Sequence, residues 1–229
     1  MDAYQLKQKE VIEKIEEKLK NSAVDFTTVS PVENWDTDNR ICLTGVHILN
    51  GFIRNHIIDK IIKPLWEIAP EHHYYTSDTM HATIKNIRVI NDPPRFNDED
   101  IQNAKEIFAR VVPMHKTFQA FFYRLIIFPG SLNLVGTTEE ELNNLILDLD
   151  QNLKAKNIMD DKTYSDPKTF FTNVTLARFA KAPADDFKIK VDELNKTLSF
   201  DNYVFDSVTL LTSNAIFEKR NIISSWGLK

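Results

Sequence analysis

The sequence predicts an α+β fold of two similar lobes, with two antiparallel-rich sheets around a central cleft and flanking helices. Three observations carry that expectation. Two stretches, Thr79–Lys85 and Phe171–Phe179, alternate apolar and polar residues with the period of a half-buried strand. One face of each presents a polar side chain, a gap and a threonine: His81 and Thr83 in the first, Asn173 and Thr175 in the second. The two stretches lie 92 residues apart (81 to 173), and each is followed by a helix pattern and then a strand pair. Such recurrence is what a duplicated unit produces.

Composition sets the outer bounds. The chain has 229 residues, 42% hydrophobic and 27% charged, which suits one bilobal globular domain. A net charge of −5 argues against broad, non-specific binding along a nucleic-acid backbone, yet leaves room for a small anion site. The single cysteine, Cys42, sits in an apolar strand-like run and can form neither an internal disulfide nor a Cys-based zinc site. The first residues lack the apolar core of a signal peptide, and no run reaches the length of a membrane span, so a cytoplasmic protein with no membrane partner is expected.

The elements follow in order. Residues 3–21 read as a Lys/Glu-rich helix with a narrow apolar stripe of Leu6, Val11, Ile12, Ile15 and Leu19, an accessory element preceding a domain over 22–229. A polar loop spans 22–39. Residues 40–50 read as a core strand and 52–68 as an amphipathic helix broken near Pro64. Adjacent His72 and His73 would point to opposite sides of an extended segment, so they do not make a metal pair, and 71–75 reads as a loop before the His81 strand. The His81 strand runs to about Ile90. Asn97, with Asp100 three residues on, marks the start of a helix that Pro113 ends. Residues 118–128 and 132–136 read as a hairpin about Pro129-Gly130-Ser131. Thr137 and Thr138 read as hydroxyl caps of a helix reaching Lys156. A loop over 160–168 leads into the Asn173 strand. A helix over 185–197, a strand over 203–213 and a last hairpin arm over 214–226 complete the chain.

His81-Ala82-Thr83 and Asn173-Val174-Thr175-Leu176-Ala177-Arg178 resemble the paired His-x-Thr signatures of the 2H phosphoesterases. The second string is close to the His-x-Thr-Leu-x-Arg of the bacterial 2′-5′ RNA ligase and cyclic phosphodiesterase branch. The segment order fits that family's bilobal fold over roughly residues 40–229. The resemblance implies a cleft in which both motifs face a phosphate. One histidine takes a proton from the attacking oxygen, the other delivers one to the leaving oxygen, and the threonines donate to the non-bridging oxygens. It implies no metal and no cofactor. Carried over, His81 is an acid/base residue, Thr83 and Thr175 are phosphate donors, and Arg178 is the family's arginine. Strict alternation sets Arg178 opposite Thr175, so a bulge, twist or strand end is needed to bring it into the cleft. Lys85, on His81's face, is a further anion-contact candidate. Tyr74, Tyr75 and Tyr123 are candidates to line the site, and these three and Phe170 are candidates to stack on a base.

Asn173 departs from the family pattern. An amide can hold a phosphate oxygen but exchanges no proton near neutral pH. Three readings remain open. Another group, a tyrosine such as Tyr75 or Tyr123 or a water, replaces the proton relay; the cleft binds a nucleotide or RNA end without cleaving it; or histidine is the natural residue and Asn173 a substitution that traps substrate. The expected partner is a nucleotide or RNA terminus with a cyclic or 2′-5′ phosphate, and the expected state a monomer.

Overall fold

Helix α1 (Ala3–Lys20) opens with a capping box: Asp2 accepts from the Gln5 N–H, and Gln5 Oε1 accepts from the Asp2 N–H. The computed structural model describes residues 2–229. Strand β1 (Ile41–Ile48) is followed by helix α2 (Gly51–Ile57), a π-helical turn over Ile58–Ile62 and helix α3 (Lys63–Trp66). The π turn falls just before Pro64, which lacks the N–H an α-helical turn needs there. Then come β2 (His73–Tyr74), β3 (His81–Asn91), α4 (Asp98–Val111), β4 (Phe118–Phe128) and β5 (Ser131–Thr138). The second half holds α5 (Glu141–Ala155), β6 (Thr172–Arg178), α6 (Asp185–Thr197), β7 (Tyr203–Phe205), β8 (Ser207–Ser213) and β9 (Arg220–Gly227).

All nine strands belong to one sheet, in the order β7-β4-β5-β6-β3-β1-β8-β9, with β2 on β6. The two lobes are the halves of this curled sheet. They meet at β3 and β6, where a single residue pair, Ala82 with Val174, forms the ladder. The halves interlock in sequence. The β4–β5 hairpin follows the first motif strand but pairs with the second, while β8 and β9 complete the sheet beside β3 and β1.

Helices α2–α6 cover one face of the sheet and share a single large core with it. Within that core Phe108 of α4 lies so close to Gly45 that a Cβ there would sit 2.4 Å from its ring. Helix α1 packs on the other face, with Ile12 against Ile126 and Val135. Three local expectations change. Thr137 and Thr138 continue β5 instead of capping α5, because the buried Thr138 is taken by Gln8 of α1: Gln8 Nε2 donates to its hydroxyl (2.9 Å) and its N–H donates to Gln8 Oε1 (2.8 Å). His73 and Tyr74 form a short strand where a loop is expected. The stretch 203–213 breaks at Asp206 into β7 and β8, each paired to a different half of the sheet.

Candidate functional site

The β3–β6 joint builds the site. Extending the antiparallel register from Ala82 opposite Val174 sets His81 opposite Thr175 and Thr83 opposite Asn173. Ala82 and Val174 are fully buried on the helix side. The other four side chains therefore share the opposite face, related by a local twofold through the Ala82–Val174 pair. His81 and Asn173 become diagonal neighbours, with backbones about 7–8 Å apart by sheet geometry. All four line a cleft of about 490 Å³.

Two bulges decide which further residues reach it. On β6, Thr175 faces Asn133 and Ala177 faces Leu132, so Leu176 is an extra residue. The parity flips there, and Arg178 lands beside Ser131 in the cleft. On β3, Thr83 faces Val46 and Lys85 faces Gly45, so Ile84 is the extra residue. Here the flip has the reverse effect. Lys85 is not a cleft residue: it turns to the helix side, 2% exposed, and its Nζ pairs with Asp150 (2.9 Å) and Asp160 (2.5 Å). Tyr123 is not at the site either. It packs under α1, with Lys9 Nζ 4.9 Å from its ring centroid. Tyr75 does line the cleft, but it is buried and its hydroxyl donates to the Ala215 carbonyl at 2.6 Å. Phe170 lines the cleft as well. Tyr74 does not; its hydroxyl donates to the Leu65 and Ala69 carbonyls.

His81 is held tightly. Its Nδ1 lies 2.8 Å from the Thr79 carbonyl, so Nδ1 carries the proton and Nε2 keeps its lone pair. Phe217 stacks on the ring at 3.6 Å between centroids. That residue has φ 65°, a left-handed conformation costing about 1–3 kcal/mol for a non-glycine residue, and the 214–219 turn imposes it. Burial pushes the His81 imidazole down to about 4; repulsion from Arg178 and Arg220 adds to this, and the Thr79 carbonyl opposes it. Near neutral pH His81 is a neutral base.

The opposite wall is a polar chain. Thr175 donates to Asn133 Oδ1, and Asn133 Nδ2 donates to Ser131 Oγ, both at 2.9 Å. Arg178 Nε donates to the Ala215 carbonyl at 3.3 Å, and among the described residues no carboxylate pairs with its guanidinium. Among these residues the Thr83 hydroxyl and the Asn173 amide also make no side-chain hydrogen bond to protein, and both line the cleft. Sequence reading missed Ser131 and Asn133. Their signal is two polar residues at alternate positions of an otherwise apolar strand. It also missed Phe217, and Lys162 and Tyr164 of the 156–171 loop, which lack a periodic signal.

Helix α1 and the loop after it close the cleft. Val11 and Ile15 line it from α1, and Phe26 to Ser30 from the loop. The Val29 carbonyl comes so close to Gly130 that only a glycine fits the β4–β5 turn. Cys42 also borders the cleft, with burial pushing its thiol up to about 11, as befits an inert residue. No three His, Cys, Asp or Glu side chains among the described residues gather as a metal site, and no helix among them is long and apolar enough to cross a membrane.

No family model matches the sequence, and no curated protein matches it. Solved structures do. E. coli LigT in its apo form aligns over 84% of this chain and 99% of its own, with 16% identity and a TM-score of 0.56. E. coli LigT complexed with 3′-AMP aligns over the same shares with a TM-score of 0.54 and 16% identity. A conserved protein of unknown function from Agrobacterium tumefaciens covers 89% of this chain and 95% of its own at 12% identity, with a TM-score of 0.57. The helices and the curled antiparallel sheet together have the fold seen in LigT.

Proposed function

We propose that the chain is a metal-independent phosphoesterase acting on a 2′,3′-cyclic phosphate or a 2′-5′ phosphodiester at a nucleotide or RNA terminus. One observation carries this reading: the Ala82–Val174 pair sets His81, Thr83, Asn173 and Thr175 on one face of the cleft, with Arg178 beside them. A tetrahedral phosphate between the diagonal His81 and Asn173 meets donors from both strands. His81 Nε2 takes the proton of the attacking water. Thr83 donates directly to a non-bridging oxygen. Thr175 does so once the Asn133 amide turns over and donates to it instead of accepting. The Arg178 guanidinium balances the charge that grows at the transition state. LigT structures with 3′-AMP, ATP, NADP+ and phosphate support a nucleotide-sized ligand for this fold.

The test is turnover of a nucleoside 2′,3′-cyclic phosphate in EDTA. His81→Ala should lower it by roughly 10²–10⁴-fold. Turnover that survives in His81→Ala defeats the assignment.

Asn173 favours a second reading, a module that binds a nucleotide or RNA end without cleaving it. That reading predicts calorimetric binding of a nucleoside cyclic phosphate with no product formed. Abolished binding in Thr83→Val, with the fold intact, would tie the affinity to this cleft.

A further inference from the structure

We propose that Lys162 is the second proton carrier of the cleft, giving the leaving oxygen the proton that Asn173 cannot supply. The inference rests on the phosphoesterase reading above and names a residue that reading lacks. Lys162 lies half-buried in the wall of the cleft that holds His81 and Asn173. Among the described residues no carboxylate stands within ion-pair distance of it. An ammonium half out of water without a counter-ion is costly unless the cleft receives an anion.

The loop that carries it is fixed. Lys85, buried beneath, holds Asp160, and Tyr164 donates to the same Asp160 oxygen at 2.8 Å. Asp160 Oδ1 accepts the Lys162 N–H at 2.8 Å. Thr163 is tied to Thr27 by two bonds, of 2.9 and 2.8 Å. The Lys162 ammonium then stands 5.2 Å from the centroid of the Tyr164 ring.

Competing proton sources at the cleft are occupied. The Tyr75 hydroxyl is given to Ala215 and the Tyr164 hydroxyl to Asp160. Asp166 Oδ1 accepts from the Lys168 and Thr169 N–H groups. Four titratable or charged neighbours face Lys162: Asp160 and Tyr164 on its own loop, Lys85 of β3 and Arg178 of β6. Burial lowers its pKa; Asp160 opposes that, while Lys85 and Arg178 add to it. A lysine so placed gives up its proton more readily than one in water.

The step balances. The water oxygen bonds to phosphorus as the bond from phosphorus to the ribose 2′ or 3′ oxygen breaks. His81 Nε2 takes the water proton, and the Lys162 ammonium protonates the departing ribose oxygen. A phosphomonoester, an imidazolium and a neutral amine result, and proton exchange with solvent resets both side chains.

The experiment compares wild type, Lys162→Met, Lys162→Arg and Lys162→Met/Asn173→His on a nucleoside 2′,3′-cyclic phosphate across pH. Lys162→Met should lose roughly 10²–10⁴-fold in kcat and the basic limb of the profile. Lys162→Arg should fail to restore the rate, because a guanidinium keeps the charge but holds its proton. Asn173→His should rescue Lys162→Met by supplying an imidazole diagonal to His81. Wild-type turnover in Lys162→Met, or in Lys162→Arg, overturns the proposal and leaves the phosphoesterase reading standing. An inactive wild type overturns both.

Discussion

Acid should unfold this protein partly through His81, and the size of that effect follows from the site. The ring is neutral when folded because burial, with smaller repulsion from Arg178 and Arg220, disfavours its cation, with a pKa of about 4 against 6.5 for an ordinary histidine. Between those values the unfolded chain binds a proton that the folded chain does not. Stability is therefore full above about pH 6.5 and falls as pH drops toward 4. At pH 5 the loss relative to pH 8 comes to about 2 kcal/mol, an upper bound because the open side of the ring meets solvent. His47, His72 and His73 are also lowered by burial and add loss in the same direction. The measurement is therefore a difference: urea unfolding from pH 8 to pH 5 in wild type and in His81→Asn. The wild type should lose about 1–2 kcal/mol more than the variant over that range. Inorganic phosphate should shrink the gap, since an anion in the cleft favours the imidazolium. Equal pH dependence in the two proteins would refute the account of His81 as a desolvated neutral base.

Lys85→Met should destabilise the fold by about 3–5 kcal/mol in chemical denaturation, because it leaves Asp150 and Asp160 facing each other without their shared cation. Hydrogen exchange should rise across the 158–171 loop, and a loss under about 1 kcal/mol would mean that solvent replaces the lysine. Gln8→Ala should cost about 1–3 kcal/mol by stranding the Thr138 N–H, and should make α1 the first site of limited proteolysis; unchanged proteolysis would show that Ile12 alone seats the helix.

The fold class and element order were legible because they follow from period. The motif strands, the Asn97 capping box and the 118–136 hairpin all announce themselves within a few residues of sequence. The site was legible where it sits close to the Ala82–Val174 pair, so His81, Thr83, Asn173 and Thr175 fall together as alternation demands. Beyond a bulge the same rule misleads. One extra residue at Ile84 sends Lys85 to the helix side, and one at Leu176 brings Arg178 into the cleft. Neither bulge has a signature in composition. Tyr123 was obscured for another reason: α1 occupies its face of the hairpin, and strand sequence does not name its cover. Lys162 depends on a contact between Asp160 and Lys85, 75 residues apart, which no local pattern encodes.

The interlocked sheet also fixes an order of assembly during synthesis. The half built on β4, β5 and β6 has its three long strands once Arg178 has left the ribosome, and it can close around α1 and α5 at that point. The half that carries His81 cannot. Until β8 arrives at Ser207, β1 presents an unpaired edge, and the turn that brings Phe217 over His81 does not yet exist. An exposed edge of that kind invites pairing with other chains. The nascent chain therefore holds one wall of the cleft formed and the His81 wall unformed, and the cleft is complete only as translation nears its end.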